Sequence, residues 1–155
     1  MNKLRSIMAY FCANYPHKSE LSKARLTKLV YLSDWYSALI RERKMTDIDW
    51  VFNHYGPYVD NITDLANLDD DFSISAQKTT YGGNKYVISY SGVDVKNNFD
   101  EQELNILDAI IDKTKSMYFN DFINFVYSTY PVSSNERYSK LDLEALAEQY
   151  RAVNA

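Results

Sequence analysis

Leu26-Thr27-Lys28-Leu29-Val30-Tyr31-Leu32-Ser33-Asp34-Trp35 is the stretch on which the fold turns. Leu26, Leu29, Val30 and Trp35 recur at helical spacing, and Leu39 and Ile40 prolong the same apolar stripe. The spacing predicts a helix from about Ser22 to Arg43. Ser19 or Ser22 can cap its start by accepting a bond from an otherwise orphaned amide. So broad a stripe predicts that the helix runs through the centre of the protein. Lys18, Lys23, Arg25 and Lys28 crowd the first turns, where the helix dipole prefers anions. That placement predicts an acidic group nearby, in the chain itself or on a partner.

Upstream, Leu4, Ile7, Met8, Phe11 and Cys12 lie on one face of a predicted helix over residues 2–14, which Pro16 ends. Cys12 on that apolar face reads as a buried, inert thiol. Downstream, residues 47–55 form a short extended or helical link carrying Trp50, Val51 and Phe52. Gly56-Pro57 punctuates it, and proline suits the first turn of a helix. Val59, Ile62, Leu65 and Ala66 continue at helical spacing to about Leu68, and Asp69-Asp70-Asp71 closes the stretch as a solvated acidic turn.

The period then changes. Phe72, Ile74 and Ala76 alternate, as do Tyr86, Ile88 and Tyr90, with Gly82-Gly83 between them. This predicts one β-hairpin over residues 72–91. A lone hairpin is marginal, so it must pack on helices or gain a strand. Asp100 and Glu103 match a capping box ahead of Leu104, Leu107, Ile110 and Ile111. Asn120 or Asp121 opens a short helix with Phe122, Ile123 and Val126, ended by Pro131. Asp142 caps a last helix with Leu143, Leu146, Ala147 and Tyr150 inward. No repeat or linker divides the chain. The expectation is one domain over residues 1–155, mainly α (α+β), a compact helical bundle of about six helices with one β-hairpin inserted near residues 72–91.

The 155 residues are 46% apolar and 25% charged, the composition of a folded chain. One cysteine excludes an internal disulfide, and Lys3, Arg5 and Ser6 interrupt the N-terminal apolar residues. A cytosolic location without a membrane span is the simple reading. Residues 1–45 hold nine Lys/Arg against three Asp/Glu, whereas residues 46–155 hold eight against eighteen. The basic third suits nucleic acid or an acidic partner, or it neutralises the acidic remainder within the fold.

Catalytic patterns are missing. His17 and His54 lie in different segments with no cysteine at metal spacing. Gly-x-Ser-x-Gly, a glycine-rich phosphate loop and a dinucleotide fingerprint are all absent from the sequence. Asp47 and Asp49 read as solvated caps, His54 as a turn residue, and Asp69–Asp71 lacks the spaced ligands of a calcium loop. The sequence therefore predicts no catalytic residue, no metal and no cofactor.

Two motifs in order carry a resemblance. Leu26, Lys28, Leu29 and Tyr31, followed by Trp35, resemble a "Leu-x-Lys-Leu-x-Tyr" helix and its aromatic. Trp50, then Tyr55-Gly56-Pro57 and Val59, resemble a "Trp…Tyr-Gly-Pro-x-Val" segment. Both are features of the Panacea, or SocA-like, antitoxin domain, and the resemblance covers about residues 1–70. Many members also carry a C-terminal "Thr-His…Pro-Trp" signature, where this chain reads Ser128-Thr129-Tyr130-Pro131.

The resemblance implies an antitoxin whose partner is a cognate toxin, neutralised by direct binding. It also implies an alternative, a proteolytic adaptor that delivers the toxin to a AAA+ protease. A nucleic-acid-binding regulator is a third and less expected reading, and a homo-oligomer stays open. The motif residues are expected to build the fold. The candidate contacts lie elsewhere: Asp69, Asp70, Asp71, Tyr81 and Tyr86, with the basic group of Lys18, Lys23, Arg25 and Lys28 as a second surface.

Overall fold

Helix α2 (Lys23–Arg41) sets the architecture, and thirteen of its nineteen residues are buried. The computed structural model describes residues 3–79 and 81–154. Around α2 pack α1 (Leu4–Asn14), α3 (Asn61–Leu68), α4 (Glu101–Thr114), α5 (Phe119–Ser128) and α7 (Leu143–Val153). A four-residue helix, α6 (Tyr130–Ser133), joins α5 to the terminal segment. The fold is mainly helical α+β, as expected. Ser22 caps α2 by accepting from the Arg25 amide at 3.1 Å. Asp100 and Glu103 form the full capping box of α4, and Asp142 caps α7. Each such cap is worth about 1 kcal/mol.

The predicted hairpin is β3 (Phe72–Lys78) paired with β4 (Asn84–Tyr90). Gly82 supplies the positive φ, 84°, at its tip. It meets both conditions for survival. It packs on α1 and α2, and Leu21–Ser22 lies along the outer edge of β4, where the Ile88 amide donates to the Leu21 carbonyl at 3.0 Å. Cys12 is buried beneath it, its thiol directed at the Ile88 carbonyl and pushed up to about 12 by desolvation.

A second sheet was not foreseen. Trp50–Asn53 is β1, paired antiparallel with β2 (Gly56–Tyr58) on one side and β5 (Lys140–Leu141) on the other. Pro57 therefore does not open a helix. It sits in an edge strand, where its missing N–H breaks no ladder, and α3 starts only at Asn61. Gly56, at φ 104°, turns the chain back.

Two other boundaries differ. Helix α5 begins at Phe119 without a side-chain cap, so neither Asn120 nor Asp121 opens it. It ends at Ser128, and Pro131 lies inside α6. Ile40 leaves the expected stripe and is 56% exposed. No helix among the described residues is long and apolar enough to cross a membrane.

Candidate partner-binding site

Asp34 anchors the centre of the molecule. Its carboxylate accepts from the amides of Met45 and Thr46, both at 2.9 Å, from the Thr46 hydroxyl at 2.5 Å and from Trp50 Nε1 at 2.8 Å. Burial pushes its pKa up while these donors pull it down. One side chain of α2 thus holds the loop that leads into β1 and fixes the indole of Trp50. Tyr31 meets that indole edge-on at 5.7 Å, and its hydroxyl pairs with Thr129 Oγ1 at 2.8 Å.

The two cations nearer the start of α2 are also interior. Arg25 is 2% exposed. Its Nη1 donates to the Tyr15 hydroxyl and its Nη2 to the Met117 carbonyl, each at 2.9 Å, and Glu20 Oε2 lies 3.5 Å from Nη1. Arg25 Nε and Glu20 Oε2 are enclosed without a hydrogen-bond partner among the described residues. Glu20 is the acidic group that the crowding of cations predicted. Lys28 is 3% exposed, and no ion pair or hydrogen bond to it is found among the described residues. Desolvation lowers its amine to about 8. Its stem lies under the β1–β2 turn, close enough that a Cβ at Gly56 would meet Lys28 Cε at 3.5 Å and the Tyr127 ring at 3.3 Å.

The expected basic surface therefore does not exist as a unit. Arg25 and Lys28 are inside because the helix that carries them is covered by neighbours. Lys18 donates to the carbonyls of Cys12 and Ala13 and closes the end of α1. Lys23 reaches solvent, with its ammonium 4.9 Å from the centre of the Tyr86 ring.

The acidic turn is corrected as well. Arg5 Nε donates to Asp69 at 2.6 Å and Arg5 Nη2 to Asp71 at 2.7 Å. The guanidinium holds the Asp69 carboxyl below the usual range. Only Asp70 is exposed without a partner among the described residues. Tyr81, at the hairpin tip, is 98% exposed, and Tyr86 is partly exposed on β4.

Of the motif residues, Leu26, Leu29, Tyr31, Trp35, Trp50, Gly56 and Pro57 are buried, and Val59 packs against the core. Tyr55 departs from the expected role. It is 73% exposed, and its ring makes a T-shaped pair with His54 at 4.5 Å between centres. A two-residue turn pushes its side chain outward, away from any core.

Two concavities lie among these elements. One, of about 520 Å³, lies between the start of α2, the free end of β4 and the turn before α5. Lys23, Arg25, Lys85, Tyr86, Tyr118 and Phe119 are among the residues that line it. The second, of about 500 Å³, is an apolar groove among Tyr36, Ile40, Ile106, Ile110 and Phe125. Sequence reasoning missed Tyr118 and Phe119. Their signal was two adjacent aromatics ahead of a helix, with no periodicity to bury both.

Residues 26–131 match the family model described as antitoxin SocA-like, Panacea domain. The chain belongs to that family. No curated protein and no solved structure gave a match. The match starts within α2 and ends in α6, so it takes in the Asp34 network, both sheets' first strands and the residues around the first concavity from Thr79 to Phe119. In this Panacea domain, most of the motif is therefore interior architecture, and the exposed aromatics lie outside it apart from Tyr55.

Proposed function

We propose that this Panacea domain, acting as one domain, is an antitoxin that neutralises a co-encoded toxin by direct protein–protein binding. Membership of the antitoxin family carries the reading. Support comes from the surface: Tyr81, Tyr86, Tyr118 and Phe119 expose large rings on adjoining elements, and aromatic side chains are enriched in protein interfaces. The nucleic-acid alternative loses ground, because two of the four clustered cations are buried and phosphate binding needs them outside.

Co-expression with each neighbouring reading frame tests the proposal. One neighbour is expected to arrest growth alone and to be harmless with this protein. Purified protein is expected to inhibit that toxin at equal stoichiometry without a protease. Protection that vanishes in cells lacking an ATP-dependent protease would favour the adaptor reading instead. Absence of any toxic neighbour would overturn both.

A further inference from the structure

The hairpin leaves the outer edge of β3 unpaired. In an antiparallel ladder bonded and non-bonded positions alternate, and at the non-bonded ones the amides and carbonyls of both strands face away from each other. The Ile88 amide turns away from β3, toward Leu21. Its cross-strand partner Ile74 therefore faces outward on the other side, as do Phe72, Ala76 and Lys78 at every second position of β3. The Phe72 amide shows this direction and is already spent on the Asp69 carbonyl at 3.0 Å. Ile74, Ala76 and Lys78 have no main-chain partner on that side among the described residues. Ser75, Ala76 and Lys78 are exposed, so this stretch of the edge reaches solvent.

An open edge is a template for another strand, and this one is complementary to itself. Set two copies antiparallel about a two-fold axis at Ala76. Ile74 then meets Lys78 of the second copy, Ala76 meets Ala76, and each pair exchanges both main-chain bonds. Every open residue is used and no other is needed. One step to either side is worse: it draws in Phe72, whose amide is spent, or sets Ile74 against the hairpin tip. The cross-strand row through the axis reads Tyr86, Ala76, Ala76, Tyr86, so two small side chains separate two partly exposed rings. No like charges stand opposite each other. Lys78 lies beside Ile74 of the second copy, just past the acidic turn in which Asp70 has no partner among the described residues. On the other face Ser75 meets Gln77, a pair of polar side chains.

We infer that two copies of this chain associate through the β3 edge and join their hairpins into one four-stranded sheet. The outer half of each hairpin gains the support that two strands alone lack. So short a ladder buries less than the roughly 1,200 Å² at which standard interfaces begin, and the dimer is a weak one, with a dissociation constant of about 10 μM or above. The inference does not depend on the antitoxin reading.

Sedimentation of the full chain from about 1 μM to about 1 mM tests the site. A monomer–dimer equilibrium is expected, with exchange of the Ala76 and Lys78 amides slowed by about threefold or more at the high end. Ala76→Pro removes the outward N–H and leaves the inner ladder its bonds, so dimerisation should weaken by at least about tenfold, whereas Ala76→Ser should retain it. If Ala76→Pro does not fold, charges at the axis decide. Ala76→Lys and Ala76→Glu should each dimerise more weakly than wild type, and an equal mixture of the two should associate about fivefold more tightly than either alone, because the axis sets position 76 against itself. Wild-type protein that stays monomeric throughout, a dimer undiminished in folded Ala76→Pro, or a mixture no tighter than its components would overturn the inference. Toxin protection gives the other occupant its test. If wild-type protein is monomeric and folded Ala76→Pro no longer protects cells, the edge takes a strand of the toxin and not a second copy.

Discussion

Asp34 and Lys28 lie on the same helix, both buried, and are treated oppositely by the fold. Asp34 has four donors drawn from Met45, Thr46 and Trp50. The Lys28 amine has no acceptor among the described residues. A buried charge with well-placed partners locks elements together, and one without partners costs stability. The C-terminal half of α2 is thus the part of the molecule that specifies the arrangement of its neighbours. The half around Lys28 carries a liability under the β1–β2 turn.

The sharpest way to break this contrast is Asp34→Ala. It strands the Trp50 and Thr46 donors and should cost about 3–5 kcal/mol, measured by urea unfolding. A loss below about 1 kcal/mol would mean that Asp34 is not the anchor.

Lys28→Met should act in the other direction. The folded amine loses its proton near pH 8, and the unfolded one near 10.4. Below pH 8 both states are protonated and the penalty of burying the charge is fully present. As pH rises from 8 toward 10.4 the folded state sheds its proton first, so stability rises. Cys12 opposes this above about pH 8.5, since its folded thiol keeps a proton that the unfolded one loses. The difference between wild type and variant isolates the lysine: Lys28→Met should gain up to about 3 kcal/mol at pH 7, with the gain shrinking as pH rises past 8. A destabilised variant would show that Lys28 has a partner in solution.

Gly56→Ala sharpens the same region, because it forces a side chain into a left-handed conformation against Tyr127 and the lysine stem. A loss of about 1–3 kcal/mol is expected in thermal unfolding. Tyr55→Ala, one residue away, should change stability by less than about 0.5 kcal/mol, since the ring is exposed. If that variant unfolds the protein, Tyr55 packs in a way its exposure conceals. If it is stable but no longer protects against the toxin, the exposed motif tyrosine is a contact.

Local signals were legible. The capping box at Asp100 and the caps at Ser22 and Asp142 appear as read, because each depends on residues within three positions. The hairpin was legible for the same reason, through alternation and a glycine at the tip. The three-stranded sheet was not. β1 finds β5 about ninety residues later, and two residues of strand leave no periodic trace. Pro57 misled for a related reason, since its fixed φ suits an edge strand as well as a first helical turn.

The candidate site was legible only in fragments. Lys23, Arg25, Tyr81 and Tyr86 were singled out, but as parts of two separate surfaces. The structure brings Lys23, Arg25 and Tyr86 to one groove, adds Lys85, Tyr118 and Phe119, and leaves Tyr81 at the nearby hairpin tip. It turns Asp69 and Asp71 toward Arg5, sixty-four and sixty-six positions away in the chain.

The sequence by itself determined which segments are helix or hairpin and where most of them begin, because periodicity and capping act over one or two turns. It also determined the family, through residues that lie mostly in the interior. Only the tertiary structure decided which charges on α2 are inside, which carboxylates are already taken and which aromatic rings stay exposed. Those outcomes depend on groups brought together from distant parts of the chain, and a charge, an acid or an amide reads the same in sequence whether or not such a group arrives.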